Sequence, residues 1–304
     1  MTAAVNVRVP AKVNLQLSVG PPRDDGYHDL VNVFHAVSLF DGVTVSPAPE
    51  LGVIVAGESG VDLDKVPVGP DNLAAQAAAM LAARIGVEPA VRIRIHKAIP
   101  VAGGMAGGSA DAAATLVACD ALWNAGLGEA ELFELAAALG SDVPFALMGG
   151  TAMGLGRGER LSRVRTRGRY DWVFAIADGG LSTAEVYAEC DRLRAAAGER
   201  VAAPRAADAL LAALAAGDVR TLGRELRNDL QPAALTLRPS LGAVLAAGRE
   251  AGAIGALVSG SGPTCAFLAE SEHQAVDLMT TLSGRGVARS VIRAYGPVPG
   301  ATLL

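Results

Sequence analysis

The chain has 304 residues, of which 51% are hydrophobic and 19% are charged, and its net charge is −5. This composition supports one large domain or two of ordinary size, and it argues against nucleic-acid binding, which usually leaves a basic footprint. The three cysteines, Cys119, Cys190 and Cys265, lie far apart, so the sequence indicates neither a zinc site nor a disulfide framework.

Neither a targeting segment nor a membrane helix is predicted. The segment Met1 to Val9 has no basic region followed by an apolar run, which a signal peptide would need. The longest uncharged run, 251–269, contains Ser-Gly-Ser-Gly-Pro in its middle and is a poor membrane helix. We therefore expect a cytoplasmic protein that binds neither membranes nor nucleic acid.

The first half of the chain mixes strand and helix patterns. Alternating apolar residues predict strands at 5–19, 30–39, 42–46, 53–56 and 91–96. Start and stop signals predict helices at 70–85, 109–124 and 129–139, and a short helix that begins at 141.

The glycines at 149, 150, 154, 156 and 158 predict a flexible segment where the chain crosses from one domain to the next. We place the domain boundary there, with an N-terminal domain at 1–155 and a C-terminal domain at 156–304. The stretch from Arg157 to Arg169 contains six arginines and is predicted to be a solvated strand or loop face. Beyond it, the patterns predict strands at 172–177, 254–258, 264–269 and 287–294, and helices at 183–195, 206–216, 218–227, 239–251 and 272–283. Strands and helices do not alternate strictly, which favours an α+β fold in two domains.

The stretch from Pro100 to Thr115, PVAGGMAGGSADAAAT, carries the clearest chemical signal, with four glycines in six positions between a predicted strand and helix. Glycine lets a ligand approach bare N–H groups, and a helix N-terminus adds partial positive charge, so this arrangement is typical of a phosphate site. A tight turn without a ligand is the alternative, although a turn needs only one or two glycines. The loop has no lysine before its serine, so a cation must come from elsewhere.

Two charged residues are candidates for the chemistry. Lys12 lies in an otherwise apolar strand, where a lysine is either an edge residue reaching water or a functional cation, and the pattern does not favour one over the other. Asp142 follows a helix stop, so on pattern alone an N-cap is the more favoured function. Near a lysine, however, a carboxylate there could accept a hydroxyl proton.

Two further signals are weak when taken alone. Ser259 to Thr264, SGSGPT, is a second glycine-rich loop between predicted strands, and such loops are usually hairpin turns. Tyr27 and His28 place an aromatic ring and an imidazole on one loop, a common pairing for holding a base, although lone histidines are usually structural.

Together these motifs resemble the GHMP kinases. That family has an N-terminal PxKxNL-type strand, matched by Pro10 to Leu15, a glycine and serine phosphate loop, matched by Pro100 to Thr115, and a C-terminal glycine loop, matched by Ser259 to Thr264. The resemblance implies a two-domain α+β GHMP kinase fold. Its N-terminal domain would be like a domain of a small-subunit ribosomal protein, and its C-terminal domain would be ferredoxin-like.

The resemblance also implies a role for each motif. Lys12 and Asp142 would be the catalytic pair, in which Asp142 takes or orients the hydroxyl proton and Lys12 lowers the charge at the reacting centre. ATP would bind to the phosphate loop and to residues flanking its adenosine: Asn72, Leu73, Lys97, Pro100, Val101, Ala102, Gly103, Gly104, Met105, Ala106, Gly107, Gly108, Ser109 and Ala110. The acceptor would contact a second set: Asn14, Tyr27, His28, Thr183, Tyr187, Gly260 and Ser261. Mg²⁺ would accompany ATP, with Ser109 the nearest hydroxyl.

Four segments, PAKVNL, DGYH at 25–28, SDVPF at 141–145 and GRGE at 156–159, are similar to one branch of this family. That branch uses ATP to phosphorylate the 2-hydroxyl of CDP-methylerythritol in the non-mevalonate route to isoprenoid precursors, and Tyr27 and His28 would hold the cytosine. The alternatives are a GHMP kinase acting on homoserine or a mevalonate-type alcohol, and a non-catalytic nucleotide sensor on the same scaffold. We expect a monomer or a weak homodimer.

The phosphate loop departs from its relatives at two positions. The family's loop usually reads GGGSSNAA, and here Ala110 replaces the second serine and Asp111 replaces the asparagine. An aspartate near phosphate is unfavourable unless it faces Mg²⁺, caps the helix start or points away.

Overall fold

The structure is a computed structural model that describes residues 4–304; residues 1–3, part of the segment assessed for a signal peptide, lie outside it. In chain order the strands are β1 (Val5–Pro22), β2 (His28–Pro47), β3 (Gly52–Gly57), β4 (Val91–Lys97), β5 (Thr151–Gly156), β6 (Arg160–Arg163), β7 (Tyr170–Ile176), β8 (Arg227–Asn228), β9 (Gly255–Val258), β10 (Cys265–Ala269), β11 (Ser290–Gly296) and β12 (Thr302–Leu303). The helices are α1 (Leu73–Ile85), α2 (Gly107–Trp123), α3 (Glu129–Leu139), α4 (Val143–Met148), α5 (Thr183–Ala196), α6 (Asp208–Ala216), α7 (Val219–Glu225), α8 (Gln231–Leu237), α9 (Ser240–Glu250) and α10 (Glu272–Gly284).

The described residues form two sheets. Eight strands make the first sheet, whose main order is β12-β1-β2-β4-β3, with β5 paired to β2 and β6, and β8 paired to β1. The second sheet has the order β11-β7-β10-β9 and is antiparallel throughout. Strands and helices are therefore mixed as an α+β fold.

The antiparallel pair of β1 and β2 forms the middle of the first sheet. Its register shifts between Pro10 and Ala11 and again between Asn14 and Gln16. Such irregularities bend a strand and re-aim its side chains. The two shifts bracket the short segment that carries Lys12 and Asn14, so this segment pairs regularly with β2 while the strand is irregular on either side of it.

Helix α2 packs directly on β1 and β2. Eleven of its 17 residues are buried, and five of these are alanines, which combine high helix propensity with a small side chain. The helix can therefore lie close to the sheet, and its first turn is held at one end of the core. No helix between residues 4 and 304 has both the length and the apolar character needed to cross a membrane.

The second sheet has its own core, formed with α9 and α10. Gly248 on α9 lies directly against the ring of Phe267 on β10, where a larger side chain would collide with the ring. Helices α5 and α8 pack on each other beside this core, and α8 also contacts α9. The last residues of the chain return to the first sheet, because β12 pairs with β1.

The glycines at 149–158 do not form the predicted flexible crossing. Thr151–Gly156 is a strand that pairs with β2, and with β6 it makes a hairpin that spans the boundary predicted at 155/156. Glycine is needed there for close packing, because a Cβ at Gly154 would lie 2.6 Å from the carbonyl oxygen of Gly158 and 2.8 Å from the ring of Phe34. Pairing with β2 thus overrides the low strand propensity of glycine. The division at 1–155 and 156–304 remains a prediction.

Other predicted bounds differ for simple reasons. The strands predicted at 30–39 and 42–46 are one continuous β2, and the helix predicted at 218–227 ends at Glu225 because Arg227–Asn228 pairs with β1. Helix α2 begins at Gly107, two residues earlier than predicted. The seven-residue α8 had no predicted counterpart, since so short a segment shows little periodicity.

His35 lies where the two sheets meet. It is a fully buried residue of β2, its Nδ1 shares a 2.8 Å hydrogen bond with Thr151 Oγ1, and its ring packs edge-on against Tyr170 at the start of β7. Burial lowers the pKa of His35 to about 3, so the ring is neutral near pH 7.

We predict that His35 makes the protein less stable as the pH falls from 6.5 to about 3. In that window the unfolded chain binds a proton that the folded chain excludes, which lowers the free energy of unfolding by roughly 2 kcal/mol at about pH 5. The variant His35→Asn should lose this contribution. We expect chemical denaturation at about pH 7.5 and about pH 5 to show that the difference in free energy of unfolding between parent and variant is smaller at the lower pH. A gap that does not change with pH would contradict a buried neutral imidazole.

Candidate active site

A cleft of about 1050 Å³ brings together both glycine loops and the turn that carries Tyr27. All but two of the residues predicted to bind or act on ligands line it: Lys12, Asn14, Tyr27, His28, Asn72, Leu73, Lys97, Pro100, Val101, Ala102, Gly103, Gly104, Ala106, Gly107, Gly108, Ser109, Asp142, Thr183, Tyr187, Gly260 and Ser261. The two exceptions are Met105 and Ala110, whose side chains are buried in the core beneath the loop. A ligand role for those two residues can therefore involve only their backbone.

Lys12 places a buried ammonium in the wall of the cleft. The residue is only 6% exposed, and its Nζ donates hydrogen bonds to Asn14 Oδ1 at 2.7 Å and to the carbonyl oxygen of Gly104 at 3.0 Å. Asp142 Oδ2 lies 3.8 Å from the same nitrogen. The alternative of an edge lysine that reaches bulk water is therefore wrong, and the residue is available as a cation inside the cleft.

Burial lowers the pKa of Lys12, and the neighbouring Asp142 carboxylate opposes that shift. A phosphate group entering the cleft would act in the same direction as Asp142, because a nearby negative charge favours the protonated amine. An anion bound beside Lys12 would therefore stabilise the charged form of the lysine that attracts it.

Asp142 precedes α4 but does not cap it. No amide of α4 donates a hydrogen bond to its side chain, which is 32% exposed and faces Lys12 across the cleft wall. The helix-cap function that the sequence favoured is therefore wrong. The carboxylate oxygens remain able to accept a hydrogen bond from the hydroxyl of a ligand.

The two glycine loops touch each other beside Lys12. Gly104 has a φ of +74°, and a Cβ there would collide with the carbonyl oxygen of Ser259. Ser259 Oγ donates a 3.1 Å hydrogen bond to the carbonyl oxygen of Gly104. Gly260, with a φ of +56°, packs next to Lys12 Nζ, and its carbonyl oxygen accepts a 2.7 Å hydrogen bond from Asn228 Nδ2. Only glycine allows both loops to approach so closely in this conformation.

Helix α2 begins in the first glycine loop without a side-chain cap. Its N-cap residue, Ala106, has a left-handed backbone with a φ of +61°, and among residues 4–304 no side chain caps the first amides of the helix. Gly107, Gly108 and Ser109 form the first turn and line the cleft. Free amides at the start of a helix, together with its dipole, bind anions. This geometry supports a phosphate site and disfavours a turn without a ligand.

The side chain of Asp111 is paired with a lysine instead of standing free against a bound phosphate. Its Oδ2 accepts a 2.7 Å hydrogen bond from Lys97 Nζ, which also pairs with Asp41. The Lys97 ammonium thereby offsets the repulsion that an aspartate, in place of the family's asparagine, would exert on a bound phosphate. Lys97 was predicted to flank adenosine; its ammonium has two carboxylate partners, and contact of this residue with adenosine remains a prediction.

An aromatic subsite also lines the cleft. The ring centroids of His28 and Tyr187 are 5.2 Å apart, and His28 Nε2 donates to Asp191 Oδ1 at 3.0 Å. Tyr27 is 53% exposed, with the Arg157 guanidinium 5.2 Å above its ring. Burial raises the pKa of the Tyr187 hydroxyl, so this hydroxyl stays protonated. Flat rings and hydrogen-bonding groups of this kind suit a planar heterocycle.

Sequence reasoning missed Asp191, Arg157 and Asp41. Asp191 lies four residues after Tyr187 on α5, so the helical spacing that puts them on one face could have indicated it. Arg157 was assigned to a solvated stretch; the residue is exposed, yet it also lines the cleft. No local signal marks Asp41, because its partners come from distant segments.

Comparison with known proteins agrees with this geometry. The family model for the GHMP kinases N terminal domain matches residues 72–150, and the model for the GHMP kinases C terminal region matches residues 210–287. Together the two models match more than half of the chain, so the chain belongs to the GHMP kinase family.

Two curated relatives of high identity share one name. A 4-diphosphocytidyl-2-C-methyl-D-erythritol kinase from Thermobifida fusca is 61% identical over 99% of this chain and 98% of its own. The protein of the same name from Mycolicibacterium gilvum is 56% identical over 100% of this chain and 94% of its own. A crystal structure of 4-(cytidine 5'-diphospho)-2C-methyl-D-erythritol kinase is 34% identical, with a TM-score of 0.76 over 95% of this chain and 98% of that one. The predicted family, the two-domain α+β fold and the predicted class of small-molecule kinase are confirmed.

We predict that Gly104→Ala weakens nucleotide binding. Alanine at position 104 must adopt a left-handed backbone, and its Cβ must displace the carbonyl oxygen of Ser259. The KM for ATP should therefore rise roughly tenfold or more in steady-state kinetics. Gly60→Ala is the matched control, because Gly60 has a φ of +92° but a Cβ there meets nothing within 4 Å. Similar losses in both variants would show that backbone strain, and not the contact between the loops, causes the effect.

Proposed function

We propose that the protein transfers the γ-phosphoryl group of ATP to the 2-hydroxyl of 4-diphosphocytidyl-2-C-methyl-D-erythritol, a step in the non-mevalonate route to isoprenoid precursors. The observation that carries this proposal is the position of Lys12 and Asp142, 3.8 Å apart in one cleft, beside the uncapped start of α2. The names of the relatives at 61% and 56% identity support the choice of acceptor.

Phosphoryl transfer depends mainly on positioning and on stabilising charge. In the proposed mechanism, the amides of Gly107, Gly108 and Ser109 hold phosphate oxygens of ATP at the positive end of α2. Lys12 balances the charge on the transferred group. Asp142, which caps no helix, accepts the proton of the acceptor hydroxyl or orients that hydroxyl for attack.

Mg²⁺ enters this proposal as the partner of ATP. The ion prefers oxygen ligands and usually keeps phosphates and waters among them. The Ser109 hydroxyl and the Asp142 carboxylate both line the cleft, so the available donors fit the ion. When bound, Mg²⁺ supplies positive charge to the phosphate oxygens, and Ser109 is the residue we propose nearest to it.

The cytidine end of the acceptor would bind at the aromatic subsite. Tyr27 and Tyr187 offer ring faces, and the Asp191 carboxylate holds the ring of His28 in one orientation. At the reacting end, Asn14 Oδ1 accepts a hydrogen bond from the Lys12 ammonium, which supports the proposal that Asn14 lies near the acceptor. Thr183 and Ser261 share a 3.0 Å hydrogen bond that joins α5 to the second glycine loop within the cleft wall.

The remaining expectations form part of the same proposal. We place the protein in the cytoplasm, as a monomer or weak homodimer that acts on small molecules. The net charge of −5 supports the expectation that nucleic acid is not a partner.

We predict that the purified protein phosphorylates CDP-methylerythritol with ATP and Mg²⁺, and that Asp142→Asn lowers kcat by about 100-fold or more. The variant loses the proton acceptor while it keeps the shape of the side chain, so its affinity for ATP should stay close to that of the parent. A coupled assay for ADP release, with homoserine and mevalonate as competing acceptors, measures turnover, and calorimetry with an ATP analogue measures affinity.

Asp64→Asn is the matched control, because Asp64 is exposed and does not line the cleft. Absence of turnover of CDP-methylerythritol by the folded parent would overturn the proposed function. Turnover by Asp142→Asn equal to that of Asp64→Asn would instead remove Asp142 from the mechanism.

A further inference from the structure

Three ionisable side chains lie buried beneath the first glycine loop. Asp41 is 0% exposed, Lys97 is 2% exposed and Asp111 is 3% exposed. We name these three residues the buried cluster. Buried charges are costly unless they are paired, and breaking such a pair is strongly destabilising. The mechanism proposed above uses none of the three, so their position under the loop calls for a physical explanation.

Asp41 ties the buried cluster to the chain that enters the loop. It belongs to β2, and its Oδ1 accepts hydrogen bonds from the backbone N–H groups of Ala98 at 2.6 Å and Ile99 at 2.9 Å. Those two residues connect β4 to the glycine loop. The other carboxylate oxygen, Oδ2, accepts from Lys97 Nζ at the end of β4.

Lys97 ties the same cluster to the other end of the loop. Its Nζ donates to Oδ2 of Asp111, in the second turn of α2, at 2.7 Å. A Cβ at Gly107 would lie 3.1 Å from this nitrogen, so the ammonium is packed directly against the residue that begins α2. A single ammonium therefore joins the end of β4, β2 and the start of the helix that presents the free amides.

The charged ammonium of Lys97 keeps this link intact. Burial raises the pKa of Asp111 to about 8, although the Lys97 ammonium opposes that shift, and an Asp111 oxygen can accept a hydrogen bond from Lys97 in either protonation state. Burial lowers the pKa of Lys97, but the attraction of Asp111 and Asp41 more than offsets that effect, so its pKa is raised and the ammonium stays charged. Hydrogen bonds to charged partners are stronger than those between neutral groups. The link between strand and helix is thus stronger than a neutral side-chain pair would provide.

We propose that Lys97 is a positioning residue for nucleotide binding. Its ammonium holds the two ends of the first glycine loop at a fixed separation, so that the amides of Gly107, Gly108 and Ser109 point together at the phosphates. Lys97 acts through the loop and need not touch the nucleotide. This inference rests on the proposed function for the identity of the ligand, ATP.

The test uses the double variant K97M/D111N in the full chain. It removes the link, and Asp41 keeps its two backbone donors, whereas K97M alone would also leave the buried Asp111 carboxyl without its Lys97 partner. Calorimetry with a non-hydrolysable ATP analogue should show affinity falling at least about tenfold, and kinetics should show the KM for the alcohol acceptor changing less than about twofold. If Lys97 only stabilised the fold, its loss would not weaken binding of the ATP analogue while leaving the KM for the acceptor nearly unchanged.

Leu278→Ala is the control for general loss of stability, because Leu278 is fully buried on α10 in the second core. It should lower the melting temperature without changing affinity for the ATP analogue. The inference is overturned if K97M/D111N binds the analogue within about twofold of the parent, or no more weakly than Leu278→Ala does.

A second pair of variants applies if K97M/D111N does not fold. Asp111→Asn keeps an oxygen that can accept from Lys97, and Asp111→Ala does not. The inference requires that D111A weakens binding of the analogue and that D111N restores most of it; equal affinities would overturn it. These experiments measure binding and do not depend on turnover. A parent that binds the analogue but fails to phosphorylate CDP-methylerythritol would contradict the proposed function, and the binding data would still decide whether Lys97 positions the loop.

Discussion

The candidate active site depends on the buried ammonium of Lys12. Its hydrogen bonds to Asn14 and to the carbonyl oxygen of Gly104 connect β1 to the first glycine loop, while Asp142 faces it from the start of α4. Burial strengthens the attraction of the ammonium for an anion, because little water screens it. The same burial requires acceptors from the protein, which Asn14 and Gly104 supply. One side chain thus links the catalytic candidates to the loop that would hold phosphate.

Close packing of backbone on backbone sets the shape of the site. Gly104 and Gly260 let the two glycine loops meet, and the alanines of α2 let its first turn rest on the sheet. A phosphate site built from free amides is insensitive to many side-chain changes. The replacement of serine by Ala110 is therefore tolerable, since that side chain is buried in the core and points away from any ligand. Loss of the glycine at 104 is a different matter, because the loops could no longer approach.

Sequence patterns worked best where local chemistry is strong. Helix α3 has the predicted bounds, and α1 ends at Ile85, directly before Gly86, whose φ of +74° is the left-handed conformation that a helix stop needs. Patterns failed where long-range pairing overrides local preference. The glycine-rich β5 is a strand only because β2 pairs with it, and Asp142 looks like a helix cap but directs its carboxylate elsewhere. In both cases the deciding partner is far away in the chain.

The sequence by itself determined the family, the order of the three motifs and the residue types on which the chemistry depends. Those properties belong to short segments, whose spacing is preserved along the chain. Only the tertiary structure decided which other residues meet: Lys97 with Asp41 and Asp111, and His28 with Tyr187 and Asp191. These contacts join segments that no local pattern relates, because they arise from the packing of helices and loops against two sheets.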